Sequence, residues 1–193
     1  TMMDAPRRLK QTAEHRKGLI AEHERRQLDA LRQYRAMPTQ EEFHRCRAPI
    51  RLVRKGNRSG GTVTTMTETA RAARHLDPHH KYPEDRGLTI WIVVFEEQNI
   101  GRTVFRMLFK PGLFQIIQDE TTKEWRAWDP ENPRDLERKK ECKPAPPLIP
   151  VEEIEGGEPG MSVTKCSGFS WVKRGPRIFR LVRLKNGTHI YTM

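Results

Sequence analysis

The sequence predicts an α/β chain, a parallel sheet with flanking helices that is preceded by a charged helical arm and closed by a C-terminal β-hairpin. Three observations carry this expectation. Residues 50–54 have a β-branched, nearly alternating pattern and run into a glycine-rich stretch and then a helix-forming segment. Leu88-Thr89-Ile90-Trp91-Ile92-Val93-Val94-Phe95 is apolar on both faces, as in a strand buried between two helix layers. Asn186-Gly187 separates two alternating segments within residues 178–193, a hairpin signal because both residues tolerate positive φ.

From Arg7 to Ala36 helix-forming residues dominate, and Leu9, Leu19, Ile20, Leu28, Leu31 and Tyr34 are the only large apolar side chains among alternating charges. Such a thin stripe predicts a highly charged helix or helix pair, an arm over residues 1–37 set apart from a domain over 38–193. Met37-Pro38-Thr39 breaks the arm. A short helix is expected from Pro38, with Thr39 as its cap and Glu42 as the partner three residues on, ended by Arg47-Ala48-Pro49. Residues 50–54 are expected to form the first strand and residues 62–76 a helix whose inner face is Val63, Met66, Thr67, Ala70 and Ala73. After a punctuated loop over 77–87, the apolar strand 88–95 leads into a second helix over 96–109. Residues 119–160 hold seven of the 14 prolines and little periodicity, and read as a surface insertion with a short strand at best.

The segment between the first strand and its helix has the layout of a phosphate-binding loop. Backbone N–H groups and a helix N-terminus converge on phosphate in such a loop, glycines keep Cβ atoms away, and a final Thr or Ser hydroxyl reaches Mg²⁺. Against the pattern G-x-x-x-x-G-K-[ST], Gly60 and Thr62 are in place, whereas Gly61 occupies the lysine position and Lys55 the first glycine position. Two readings follow: a degenerate loop that no longer supports phosphoryl transfer, which needs a cation on the β/γ-phosphates, or a lysine relocated to Lys55.

The chain of 193 residues carries a formal net charge of +11, unevenly spread. Residues 1–60 hold 15 basic and 7 acidic side chains, residues 61–160 hold 14 and 18, and residues 161–193 hold 7 basic and no acidic ones. A basic excess at both ends favours a polyanionic partner through counterion release, without specifying a sequence. The three cysteines, Cys46, Cys142 and Cys166, lack C-x-x-C spacing and suit free thiols in a reducing compartment. No apolar run approaches the roughly 20 residues of a membrane span, and the N-terminus lacks the apolar core of a signal peptide, so a soluble protein inside the cell is expected.

Other constellations compete for a chemical role. Val93-Val94-Phe95 ending in Glu96 and Glu97 has the form of a strand delivering Mg²⁺-binding acids, but two carboxylates opening a helix also suit the helix dipole. His75, His79 and His80 with Asp77 form a histidine cluster that needs a further converging ligand to hold a metal. Trp125 and Trp128 lie near Lys123 and Arg126, where base stacking and loop anchoring are both open. The basic segment from Lys173 to Lys185 fits either DNA phosphates or a solvated strand face.

Taken together, these features resemble the N-terminal ATPase region of bacteriophage terminase large subunits, the motors that package viral DNA. Gly56-Asn57-Arg58-Ser59-Gly60-Gly61-Thr62 is similar to the family's Gly-Asn-Arg-Ser-Gly-Lys-Thr loop, and Pro38-Thr39-Gln40-Glu41-Glu42-Phe43-His44-Arg45 is similar to its adenine-contacting element. Tyr82-Pro83, Ile90-Trp91-Ile92-Val93-Val94, Pro146-Pro147-Leu148-Ile149-Pro150 and residues 183–190 follow the family's order, so the likeness spans residues 28–193. The resemblance implies a P-loop NTPase-like fold, with ATP and Mg²⁺ as cofactors. It implies that Gln40 reads adenine, a carboxamide being able to donate and accept at once. Lys55, the relocated lysine that some members place at this end of the loop, would be the catalytic cation on the phosphates. Gly56, Asn57, Arg58, Ser59, Gly60 and Gly61 would hold the phosphates and Thr62 the metal, Arg58 being the rival cation. The implied partners are double-stranded DNA, further copies of the motor in a homo-oligomer, the small terminase subunit and the capsid portal, in the cytoplasm of an infected bacterial host and with no membrane. The family's metal-binding acids and nuclease domain would follow residue 193, so a truncated and hydrolytically inactive piece is expected. The alternative is a non-catalytic nucleic-acid-binding or structural remnant with a degenerate loop; a P-loop protein acting on something other than viral DNA is a third.

Overall fold

The protein was analysed as a computed structural model that describes residues 15–16, 28–52, 54, 60–172 and 177–193. Most of the helical arm, Val53, Lys55 to Ser59 and Lys173 to Pro176 lie outside these. From the arm comes α1 (Ala30–Gln33), capped by Asp29, whose carboxylate accepts the Leu31 N–H at 2.9 Å. It anchors because Ala30 and Leu31 enter the core.

Helix α2 (Pro38–Arg45) has Met37 at its N-cap and Pro38 in its first turn. Gln40, three residues after the cap, reaches back to the Met37 N–H, so the expected Thr39–Glu42 capping pair gives way to one set two residues earlier, where proline's fixed φ starts the helix. Helix α3 (Gly61–Ala73) is buried nearly all round: Met66, Thr67, Ala70 and Ala73 of its expected inner face are joined by Thr64, Glu68, Arg71 and Ala72. Helix α3 stops at Ala73, three residues short of the expected end, and the chain turns away with His75 at φ 55°.

The main sheet is mixed. Strand β1 (Thr89–Ile92) runs parallel to β7 (His189–Thr192), which is antiparallel to β6 (Phe179–Arg183), itself antiparallel to β5 (Phe169–Trp171), giving the order β1-β7-β6-β5. An all-parallel sheet is therefore not what forms, because the hairpin expected at Asn186-Gly187 does form and brings β6 in antiparallel. Residues 50–52 and 54 are not a strand; Ile50 and Leu52 stand 88% and 93% exposed and find no strand partner among the described residues. Nor is 88–95 buried on both faces. With β7 on one side alone, β1 is an open edge, and Trp91 (stacked on Tyr191), Val93 and Phe95 are exposed.

The second expected helix begins later than residue 96, as a π-wound turn over Ile100–Phe105 that passes into α4 (Arg106–Phe109). Its Phe105 and Phe109 pack edge-on against Phe169 and Phe179 of the sheet at ring separations of 5.1 to 6.5 Å, forming the aromatic centre of the core. A small antiparallel sheet follows, in the order β3 (Trp125–Ala127), β2 (Gln115–Gln118), β4 (Lys143–Pro144), with α5 (Pro133–Glu137) between β3 and β4. Residues 119–160 are thus more than a surface elaboration, since Ala145, Leu148, Ile149 and Ile154 are fully buried. Arg74, itself buried, clamps this region to the arm: it bonds Asp29 at 2.6 Å, Glu153 at 2.6 Å and the Leu148 carbonyl at 2.9 Å. Across the molecule, Asn186 of the β6–β7 turn donates to the Ala73 carbonyl at 2.8 Å and so caps α3 from 113 residues away. Among the described residues no helix is long and apolar enough to cross a membrane.

Candidate functional site

The start of α3 and the start of α2 meet at one point. Gly60, at φ 73°, is the N-cap of α3, a left-handed conformation that glycine adopts without penalty. A Cβ at this position would sit 2.5 Å from Gln40 Nε2, so the Gln40 carboxamide rests directly on the glycine. Gln40 is buried, and its orientation is fixed by donors: Oε1 accepts the Met37 N–H at 2.9 Å and the Tyr34 hydroxyl at 3.1 Å. A backbone N–H can only donate, so the atom facing it is the oxygen and Nε2 is the atom over Gly60.

Beside this contact lies a cleft of about 640 Å³, within the range of small-molecule sites. Tyr34, Met37, Gln40, Gly60 and Val63 line it from the helices and their ends, Phe114 from just before β2, Trp128 from just after β3, and Asp129 and Glu131 from the turn that follows. That turn is held by Asp135, whose carboxylate takes both Nη atoms of Arg126 at 2.6 and 2.7 Å and the Asp129 N–H at 3.0 Å, while its carbonyl accepts Trp128 Nε1 at 2.9 Å. The Arg126 hydrogen bonds pull the Asp135 carboxyl down to about 2.

Behind α2 and α3 a buried carboxylate gathers four donors. Glu68 Oε2 accepts His44 Nδ1 at 2.7 Å, and Oε1 accepts Arg51 Nη1 at 2.8 Å, the Tyr82 hydroxyl at 2.7 Å and Lys81 Nζ at 2.6 Å. Burial would raise its pKa, but the hydrogen bonds from His44, Lys81, Tyr82 and Arg51 prevail and hold the carboxyl well below the usual carboxylate range. The Tyr82 hydroxyl moves the other way, up to about 12, through burial and its bond to Glu68. Lys81 also donates to the His44 carbonyl. Arg51 reaches the Phe43 carbonyl too, so Glu68 fixes the end of α2 and the chain that enters the loop.

Of the residues expected to bind nucleotide, Gln40, Gly60, Gly61 and Thr62 are brought to one end of α3; Lys55, Gly56, Asn57, Arg58 and Ser59 lie outside the described residues. Gly61 is buried as the first residue of α3 and Thr62 is half-buried as the second. These residues fit the phosphate end of a nucleotide: a helix of 13 residues presents its positive end there, and only a glycine fits beneath Gln40. Among the described residues no three His, Cys, Asp or Glu side chains converge on a metal site. A single hydroxyl with phosphate oxygens and water is nevertheless the ligand pattern Mg²⁺ takes with nucleotides.

The rival constellations separate. His75 lies 3.5 Å from the Thr188 hydroxyl, His79 3.5 Å from Glu41, and His80 2.8 Å from Glu84, three different partners with no shared centre. Glu96 and Glu97 are exposed, and their carbonyls accept the N–H groups of Asn99 and Ile100 in the turn before the π-wound segment. Trp125 sits under Lys143, whose Nζ is 4.9 Å from its ring, whereas Trp128 lines the cleft. Tyr34, Met37 and the turn at Asp129 were not legible as cleft residues; the proline opening α2 with a glutamine two residues on was the one signal of their arrangement. No family model, curated protein or solved structure matches the chain.

Proposed function

We propose that this chain binds ATP with Mg²⁺ in the cleft beside Gly60, as the ATP-binding part of a terminase-like motor that packages double-stranded viral DNA. The observation that carries this reading is the seating of Gln40 on Gly60 at the N-terminus of α3: a carboxamide able to meet a base stands beside a helix end able to take phosphate. Gln40 meets the base, Lys55 and the amides of residues 56–61 take the phosphates, and Thr62 takes the metal. Hydrolysis of ATP supplies the free energy that moves DNA; the residues described here bind and orient. Glu68 contributes by holding Arg51, four residues before Lys55, in a fixed position.

The test is a titration with a ribose-labelled fluorescent ATP analogue and Mg²⁺, on the wild-type chain and on Lys55→Ala, after near-UV circular dichroism shows both to be folded. Saturable binding that the substitution weakens by tenfold or more, on the order of one lost charge-assisted contact, supports the proposal. A folded wild-type chain that binds no nucleotide overturns it. Gly61 in the lysine position and the exposed Arg177 and Arg180 favour a second reading, a non-catalytic nucleic-acid-binding protein. That protein would bind DNA with a steep salt dependence and no response to ATP or Mg²⁺.

A further inference from the structure

Gln40 was expected to read adenine by donating and accepting at once, and its surroundings bear on which base it can read. A carboxamide oxygen has two lone pairs, and both are already engaged, by the Met37 N–H at 2.9 Å and the Tyr34 hydroxyl at 3.1 Å. Turning the amide over would set its NH₂ against the Met37 N–H, donor against donor, inside a site that is 7% exposed. The capping of α2 therefore locks the side chain, and among the described residues Nε2 donates to no acceptor. What Gln40 offers the cleft is a donor alone.

Resting on the proposed nucleotide site, we propose that the cleft is a purine site that does not select adenine: Gln40 donates to a ring acceptor that adenine and guanine share, and ATP and GTP bind alike. Adenine differs from guanine at position 6, where an amino donor replaces a carbonyl acceptor, so selecting adenine requires a fixed acceptor at that position. Gln40 Oε1 is turned away from that duty. The carboxylate side chains on the cleft are those of Asp129 and Glu131, and neither favours adenine. A carboxylate accepts from the adenine N6 amino group and equally from the N1–H and N2 amino group of guanine. Atom N7 is an acceptor in both bases and is the natural partner of Nε2. Half-buried Trp128 and Phe114 contribute aromatic surface to the cleft, and aromatic surface is tolerant of base identity.

The experiment displaces a ribose-labelled ATP analogue from the folded chain with unlabelled ATP, GTP and 7-deaza-ATP, and repeats the series on Gln40→Glu. Glutamate keeps both acceptor roles toward Met37 and Tyr34, and at this helix position it is as good a capping partner as glutamine, so the variant removes the donor and leaves α2 intact. Expected are ATP and GTP affinities within about fivefold of each other, with 7-deaza-ATP weaker than ATP by about three- to tenfold, the worth of one hydrogen bond. In Gln40→Glu, ATP and GTP weaken together and the 7-deaza penalty disappears. ATP binding more than about fiftyfold tighter than GTP, or a 7-deaza penalty that survives in Gln40→Glu, overturns this proposal and leaves the ATP site standing. No displaceable nucleotide binding by the folded chain overturns both.

Discussion

Replacing Glu68 by glutamine keeps the side chain's shape and removes its charge, and the loss should be among the largest available to a single substitution. Three of the donors it serves are withdrawn from water: His44 is 0% exposed, Lys81 5% and Arg51 17%. In the variant, Arg51 and Lys81 keep their charges, and Asp77, 3.5 Å from Lys81 Nζ, is the acid still paired with them among the described residues. The new amide also turns an N–H toward groups that are themselves donors. Each hydrogen bond to a charged partner is worth about 1.5–3 kcal/mol, but four on one carboxylate do not add, and stripping one member from a buried ionic cluster costs about 3–5 kcal/mol. Urea denaturation followed by far-UV circular dichroism should show that loss at neutral pH. Glu68 has a folded pKa depressed below its unfolded value, so its contribution is complete above about pH 5 and fades as pH falls below about 4. The two proteins should accordingly draw together in acid. A deficit under about 1 kcal/mol at pH 7, or one that does not change between pH 7 and pH 3, would falsify the reasoning that the cluster is held by a buried carboxylate.

Arg74→Met should cost about 3–5 kcal/mol, since Asp29 and Glu153 lose their shared cation; limited proteolysis should then release the chain near Asp29 before the core opens. Asp135, drawn from an ordinary 3.8 to about 2, contributes roughly 2 kcal/mol that is present above about pH 5 and lost as pH falls from about 4 toward 2. An Asp135→Asn variant should therefore trail the wild type at pH 7 and converge with it in acid, and a constant gap would mean that Arg126 is not its partner. Gly60→Ala forces a side chain onto φ 73° and onto Gln40 Nε2, and about 1–2 kcal/mol of stability should go together with at least a tenfold loss of nucleotide affinity. Unchanged affinity in that variant would show that Gln40 does not border the bound nucleotide.

Local rules read the local elements well. The 3.6-residue pattern gave α3 to within a few residues, and Asn186-Gly187 gave the β6–β7 hairpin, because each is decided by side chains close together in the chain. What those rules miss is set by pairing. Residues 50–52 have the alternation of a strand, yet a strand needs a neighbour, and alternation says nothing about whether one is supplied. Likewise the apolar run at 88–95 looks doubly buried until the partner count of β1 is known. Gln40 and Gly60 could be singled out from the sequence, whereas the orientation that makes Gln40 a donor depends on Met37 and Tyr34, and only the structure supplies them. The Glu68 cluster draws on residues from 44 to 82, and no periodicity marks a carboxylate as the meeting point of four distant donors.

Asn186, which closes the Ala73 carbonyl at the end of α3, also sets an order of events during synthesis. A ribosome making this chain releases the whole of α3 while its cap is still 113 residues away, so the helix must emerge with its final turn open to water. The parallel pairing of β1 with β7 waits on the same distant segment, and contacts of such long sequence separation form slowly. The first end of α3, where Gly60 meets Gln40, can take shape early; the far end is finished only after residue 186 has left the tunnel. A bound nucleotide would then be a means of steadying a nascent helix from one end while the other awaits its cap.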